Sequence, residues 1–186
     1  MRIISGEFKG RPIKFLKNSN TRPLKDTVKE SIFNILQHSN FINVSIKNSN
    51  VLDLYSGIGS FGIECISRGA KKVTFIEKDP NSFNLLKKNL IKLSVLEKSS
   101  IINHKIENSF TSISKEKYNI FFLDPPFKNN IFIENLKLIK EKKLYSKTHI
   151  VIIHREKKTI DEFDNFFRLI LVKNYGRSKI IFGTFS

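Results

Sequence analysis

Apolar residues occur along this chain in two patterns: short continuous runs, and runs spaced three or four residues apart. Continuous runs are typical of buried strands, and the wider spacing is typical of helices that bury one face. Strands are predicted over residues 51–54, 72–76, 100–103, 120–123 and 149–153. Helices are predicted over residues 61–68, 80–93 and 132–140. Because strands and helices alternate, the pattern predicts an α/β fold with a mostly parallel sheet covered on both faces.

The ends of these elements have recognisable residues. Gly69 follows the first of the helices, and glycine is typical of the position after a helix C-terminus. Asp79 and Pro80 open the next helix, because aspartate caps free N–H groups and proline fits the first turn. Two strand-like runs at 168–174 and 179–185 close the chain as a hairpin, which adds antiparallel strands and predicts a seven-stranded sheet.

The first forty residues precede this alternating pattern and form a predicted extension. Two short strand-like runs separated by Gly6 and Gly10 predict a hairpin. Apolar residues at helical spacing then predict one amphipathic helix. We therefore divide the chain into a hairpin and helix extension, residues 1–40, which we expect to face RNA, and an α/β domain, residues 41–186.

Composition narrows the class of protein. With 40% hydrophobic residues and no apolar run long enough for a membrane span, the chain is expected to be globular and cytoplasmic. The single cysteine, Cys65, excludes an internal disulfide framework, and no metal-ligand spacing is present. A net charge of +16 favours a polyanionic partner such as nucleic acid, although a lysine-rich composition can also arise from genome-wide bias.

The first candidate site is the glycine loop that begins within the first strand of the α/β domain. It contains Asp53, Ser56, Gly57 and Gly59, and Glu77 ends the following strand. Glycines let a ligand approach the backbone, and an acidic residue about 20 positions on can accept hydrogen bonds from ribose hydroxyls. Asp53 would repel a pyrophosphate but attract an ammonium group. The loop therefore predicts a site for S-adenosylmethionine rather than for NAD.

The second candidate site is the sequence Asp-Pro-Pro-Phe at 124–127, directly after an apolar strand. The Asp124 carboxylate and the Pro125 carbonyl can accept both hydrogens of an NH₂ group and direct its lone pair at a methyl donor. The prolines stiffen this turn, and Phe127 offers a face on which a base can stack. His154 ends the fifth strand near this site, and we expect it to be a solvated strand-end side chain.

Both sites together resemble one family. The Asp-Pro-Pro-Phe sequence is similar to the [DNS]-Pro-Pro-[FYW] signature of amino-methyltransferases, and with residues 53–64 it resembles the bacterial 16S rRNA guanine-N2 methyltransferases, the RsmD family. Residues 2–11 and 21–36 and the closing Tyr175-Gly176 hairpin also resemble that family. The resemblance implies a class I, Rossmann-like, methyltransferase fold and transfer of a methyl group to one guanine of 16S rRNA.

The resemblance also implies roles for individual residues. The glycine loop and Glu77 would hold the methyl donor, and residues 124–127 would hold the base. In the family an acidic residue contacts the adenine of the cofactor, and sequence position alone does not show which residue corresponds to it here. Glu107 and Asn108 are both candidates, and we take Asn108 as the first choice.

The basic N-terminal extension supplies candidate RNA contacts. Arg11, Arg22, Lys25 and Lys29 are predicted to face phosphate groups. We expect a monomer without metal that acts on 16S rRNA, either naked or in an assembling subunit.

Two other functions share parts of this pattern. A DNA adenine or cytosine amino-methyltransferase uses the same Asp-Pro-Pro-Phe chemistry, but this chain has no room for a separate target-recognition domain. A basic RNA-binding module could keep the fold without activity, but binding alone would not require Asp53, Glu77 and Asp124.

Overall fold

A computed structural model gives the structure of residues 1–15, 24–113, 116–126 and 130–186. Within these ranges the strands are β1 (Asn50–Leu54), β2 (Lys72–Ile76), β3 (Ser99–Ile102), β4 (Tyr118–Leu123), β5 (Tyr145–Glu156), β6 (Phe167–Tyr175) and β7 (Ser178–Phe185). The helices are α1 (Asp26–His38), α2 (Ser60–Ser67), α3 (Pro80–Lys92), α4 (Ile106–Ser109) and α5 (Ile131–Glu141). No helix in these ranges is long and apolar enough to cross a membrane.

The strands form one sheet in the order β3-β2-β1-β4-β5-β7-β6. Strands β1 to β5 are parallel, and the hairpin β6–β7 joins β5 in antiparallel orientation, as predicted. The fifth strand is longer than its apolar run, because its polar end also pairs with β7, with Arg155 opposite Lys179 and Glu156 opposite Ser178. Hydrophobicity alone therefore underestimated the length of this strand.

The helix ends follow the predicted chemistry. The Asp79 carboxylate accepts a hydrogen bond of 2.7 Å from the Ser82 amide, and Pro80 is the first residue of α3. Gly69, just after α2, has a φ of +91°, a left-handed conformation that glycine adopts without steric cost.

The register of the parallel strands aligns their carboxyl ends. One row of paired residues crosses the sheet through the last residue or a late residue of each parallel strand: Ile102, Ile76, Leu54, Leu123 and Ile153. The residues that follow this row lie at one edge of the sheet. In open α/β sheets ligands bind at this edge, so the register determines which side chains can meet there.

The N-terminal extension packs on α2. The two arms of its hairpin are joined by an isolated bridge between Arg2 and Pro12 and by further backbone hydrogen bonds. The amides of Ile4 and Ser5 donate hydrogen bonds of 2.8 and 2.9 Å to the Glu64 carboxylate. Apolar residues of the extension belong to the same core cluster as β1 and α2. The domain boundary near residue 40 stays a prediction.

Lys29 is not an RNA contact, and this prediction was wrong. Its side chain is 0% exposed, and its ammonium lies 3.6 Å from the buried Glu64 carboxylate and 3.0 Å from the Arg2 carbonyl. Burial lowers the pKa of Lys29, and the negative charge of Glu64 opposes that shift. Helix α1 turns Lys29 toward α2, so the ammonium stabilises the attachment of the extension instead of reaching solvent.

Candidate active site

Five polar residues directly follow the aligned row, one after each paired position. From β3 across the sheet to β5 they are Asn103, Glu77, Tyr55, Asp124 and His154. Parallel pairing brings them to one edge although they are spread from residue 55 to residue 154, over more than half of the chain's length. This edge also carries the glycine loop, so the two sequence motifs meet in one candidate active site.

The two loop glycines have different functions. Gly57 has a φ of +55°, and no described atom lies within 4 Å of the place that a Cβ would occupy. Its amide donates a hydrogen bond of 2.7 Å to the Glu77 carboxylate. Gly59 has a φ of +84°, and a Cβ there would lie 2.4 Å from Leu86 Cδ1. Gly57 therefore leaves its backbone open to a ligand, whereas Gly59 permits close packing on α3.

Asp53 lies beneath the loop and is 1% exposed. Its Oδ2 accepts a hydrogen bond of 3.0 Å from the Gly62 amide in α2, but its buried Oδ1 has no hydrogen-bond partner among the described residues. Burial raises the pKa of Asp53 well above its usual value. A donor group of a ligand would satisfy the unpaired oxygen and offset part of its desolvation cost.

Glu77 is held by backbone groups on both sides. Its Oε2 accepts from Gly57 and its Oε1 accepts a hydrogen bond of 2.7 Å from the Asp79 amide. Burial raises the pKa of Glu77, and these two amide bonds oppose the shift. Each carboxylate oxygen can still accept a second hydrogen bond, so Glu77 can also receive ribose hydroxyls.

Ser56 and Asn103 link the loop to its neighbours. The Ser56 hydroxyl donates a hydrogen bond of 3.2 Å to the Ile76 carbonyl, so it ties the loop to β2, and its role as a cofactor contact stays a prediction. Asn103 was missed by sequence reasoning. Its amide donates a hydrogen bond of 2.7 Å to the Glu77 carbonyl. Glu107 and Asn108 are both exposed on α4, so the choice between them stays open.

These residues fit S-adenosylmethionine. The unpaired oxygen of Asp53 suits a cationic donor, the open backbone at Gly57 leaves space, and the Glu77 carboxylate suits a diol. Two buried carboxylates would repel a pyrophosphate. Within the described ranges, no three His, Cys, Asp or Glu side chains form a group that could hold a metal ion.

Asp124 is held by His154, which was expected to be solvated; that expectation was wrong. His154 is 9% exposed, and its Nδ1 lies 2.8 Å from Asp124 Oδ1. The contact follows from register, because Leu123 pairs with Ile153 and the next residue of each strand is then a neighbour. Phe127 lies outside the described residues, and Pro125 is buried.

Arg155 supports the same turn and was also missed. It is 1% exposed, and its guanidinium donates to the Pro126 carbonyl at 3.4 Å and to the Asn130 side-chain oxygen at 3.0 Å. A further hydrogen bond of 2.8 Å joins it to the buried Asp161 carboxylate. An arginine two positions after a run of apolar residues was the available signal, because a buried guanidinium needs several acceptors.

The N-terminal extension passes beside the glycine loop. The Asn89 side chain on α3 accepts from the Lys14 amide at 3.0 Å and donates to the Lys14 and Ile58 carbonyls at 3.1 and 3.3 Å. Arg11 and Lys25 are exposed, whereas Arg22 lies outside the described residues. Their contact with RNA stays a prediction.

Comparison with known proteins identifies the family. The family model described as Conserved hypothetical protein 95 matches residues 1–184. Ribosomal RNA small subunit methyltransferase D of Haemophilus influenzae is 35% identical over 159 residues, which cover 84% of this chain and 79% of that protein. The protein of the same name from Buchnera aphidicola is 34% identical over 84% of this chain and 78% of its own. The chain belongs to this family.

Solved structures agree with the family assignment. The structure of yhhF from Escherichia coli, which is named as a methyltransferase, matches with a TM-score of 0.82 at 26% identity, over 98% of this chain and 96% of that chain. HI0767 from Haemophilus influenzae, named as a methylase, matches with a TM-score of 0.77 at 31% identity over the same shares. The predicted class I methyltransferase fold and the family resemblance are therefore confirmed.

Proposed function

We propose that this protein transfers a methyl group from S-adenosylmethionine to the exocyclic 2-amino group of a guanine in 16S rRNA. The observation that carries the proposal is the position of Asp124. It follows β4 at the edge where the glycine loop and Glu77 also lie, and its side chain is 24% exposed. The names of the family relatives, which are ribosomal RNA small subunit methyltransferases, support rRNA as the substrate.

The donor side of the site supplies binding. S-adenosylmethionine carries its methyl group on a positively charged sulfur, which is already an activated leaving group. Asp53 would receive the donor's ammonium group, Glu77 would receive its ribose hydroxyls, and Gly57 leaves room beside them. Asn108 or Glu107 would contact the adenine ring. Alignment of the two reactants is then most of the catalytic task.

The acceptor side of the site makes the target amine a better nucleophile. The lone pair of the guanine 2-amino group is delocalised into the ring, so the free base is a poor nucleophile. The Asp124 carboxylate and the Pro125 carbonyl accept its two hydrogens and direct the lone pair toward the donor. Phe127 would stack on the base and contribute about 1–3 kcal/mol. The base must leave its own stack to enter, which favours an unpaired guanine.

The remaining parts of the proposal concern the RNA. Arg11, Arg22 and Lys25 would bind phosphates beside the loop, in agreement with the net charge of +16. The enzyme would act as a cytoplasmic monomer on 16S rRNA, either naked or in an assembling subunit.

The experiment that tests the function uses isotope-labelled S-adenosylmethionine with three substrates: naked 16S rRNA, small subunits from cells lacking the gene, and duplex DNA. The product is digested to nucleosides and identified by mass analysis. Methyl label in N2-methylguanosine supports the proposal. Label in DNA adenine or cytosine would favour a DNA amino-methyltransferase, and tight RNA binding without label would indicate a binding module.

A further inference from the structure

His154 lies where the proposed reaction needs a fixed carboxylate. Leu123 of β4 pairs with Ile153 of β5, so Asp124 and His154 are adjacent at the ends of neighbouring strands. Their closest atoms, Asp124 Oδ1 and His154 Nδ1, are 2.8 Å apart. The imidazole is nearly buried, and the carboxylate is partly exposed toward the site. The contact therefore joins a constrained side chain to the side chain that faces the substrate.

The chemistry of the pair gives the contact a direction. An ionised carboxylate can only accept hydrogen bonds, so the proton between the two atoms belongs to His154 Nδ1. His154 then holds Oδ1 of Asp124 and leaves Oδ2 to accept a hydrogen of the substrate amine.

We propose that His154 is a positioning residue for methyl transfer, which acts by fixing the Asp124 carboxylate in the orientation that aligns the target amine. This inference rests on the proposed function. A carboxylate can rotate about its Cα–Cβ and Cβ–Cγ bonds, and a charge-assisted hydrogen bond removes that freedom. The second acceptor, the Pro125 carbonyl, belongs to a turn that Arg155 holds through the Pro126 carbonyl. Consecutive residues of β5 thus hold the two ends of the acceptor turn.

The substitutions His154→Asn, His154→Gln and His154→Leu test the inference. The amide nitrogen of asparagine reaches the place of Nδ1 and can still donate to Asp124. The amide nitrogen of glutamine reaches the place of Nε2, and leucine has no donor. We expect kcat to fall about 10-fold or more in the leucine variant, with KM for RNA and for S-adenosylmethionine changed less than threefold. Asparagine should restore most of kcat, and glutamine should not.

A double-mutant cycle separates positioning from a general loss of structure. In the Asp124→Ala background no carboxylate remains to be held, so His154→Leu should lower kcat no further. Thermal unfolding of each variant, with and without S-adenosylmethionine, reports its folding separately. If the leucine variant does not fold, the asparagine and glutamine variants carry the comparison.

Three results would overturn the inference. The first is a leucine variant with kcat within twofold of the wild type, and the second is equal activity of the asparagine and glutamine variants. The third is the same loss from His154→Leu with and without Asp124. If one of these results is found and the wild-type protein methylates rRNA, only the inference about His154 fails and the proposed function stands. A wild-type protein without rRNA methylation would overturn both proposals.

Discussion

The two halves of the candidate active site are built from different kinds of contact. In the donor half, formed by β1, β2 and their loops, carboxylates are held by backbone amides: Gly62 to Asp53, nine residues apart, and Gly57 to Glu77, twenty residues apart. In the acceptor half, formed by the ends of β4 and β5, side chains make the contacts. His154 binds Asp124 across 30 residues, and Arg155 binds the turn across 29.

This difference indicates how each half responds to change. A backbone amide is present whatever the side chain, so the donor half can lose one residue and keep the path of its loop. The acceptor half depends on individual side chains that are buried or nearly buried, and a single substitution removes a support. Mutations in the acceptor half should therefore affect folding and rate, and those in the donor half should affect cofactor affinity.

The largest effect is expected from Arg155→Met. It removes a buried cation from Asp161, whose remaining partner is the Lys179 ammonium at 3.0 Å. The free energy of unfolding should fall by about 3 kcal/mol, the lower end of the range for breaking a buried ion pair. Urea unfolding measures it. Lys137→Met, which removes an exposed ion pair with Asp164, is the matched control and should leave the free energy of unfolding nearly unchanged.

The same variant should also alter acid stability. Burial works to raise the pKa of Asp161, but Lys179 and Arg155 outweigh it and hold that pKa below its usual value. The resulting stability is present above the unfolded-state pKa and is lost as the pH falls through the folded-state pKa. Arg155→Met should diminish this loss of stability, which occurs as the pH falls below 3.8, the ordinary value for an aspartate side chain. If the variant has the same free energy of unfolding as the wild type, and the same dependence of that energy on pH, Arg155 does not stabilise the acceptor half.

Asp124→Ala should give the next effect, on the chemical step. The variant loses an acceptor that matters mainly in the transition state, so the single-turnover methylation rate should fall by at least about 10²-fold. Affinity for S-adenosylmethionine, measured by calorimetry, should change far less. Asp124→Asn keeps one acceptor oxygen and should retain partial activity. Near-wild-type methylation by the alanine variant would show that the Asp-Pro-Pro sequence is only a turn after β4 and has no role in methyl transfer.

Glu77→Ala tests the donor half. Loss of charge-assisted hydrogen bonds to the ribose should weaken S-adenosylmethionine binding by about 1–3 kcal/mol in calorimetry. Because burial raises the pKa of Glu77, protonation should begin to weaken wild-type binding above pH 4.5, the ordinary value for this side chain. Glu107→Gln and Asn108→Ala, measured in the same way, show which of the two side chains contacts the adenine. Unchanged affinity in Glu77→Ala would remove Glu77 from the site.

The smallest effect concerns the extension beside the donor half. Arg11→Ala and Lys25→Ala should each weaken RNA binding and lower the slope of log affinity against log salt by about 0.7–0.9, the value for one phosphate contact. Lys142→Ala, after α5 at the opposite edge of the sheet, is the matched control and should leave the slope unchanged. A fixed slope in the first two variants would show that these cations do not contact phosphate.

Much of this protein can be read directly from its sequence, because the relevant interactions are local. The alternation of apolar runs predicted the parallel sheet, and Asp79, Pro80 and Gly69 predicted the ends of helices through contacts within a few residues. The glycine loop, Glu77 and the Asp-Pro-Pro turn were predicted for the same reason. Each is a short segment whose backbone conformation follows from its own residues.

Other features depend on register and packing between distant segments, which no local pattern encodes. Lys29 was predicted to be exposed because it was placed off the apolar face of its helix, and the packing of α1 against α2, which carries Glu64 35 residues away, buries it. His154 and Arg155 were missed as site residues because their partners lie in another strand and turn. Hydrophobic periodicity says which face of an element is buried, whereas the partner of a buried charge follows from how the elements pack against one another.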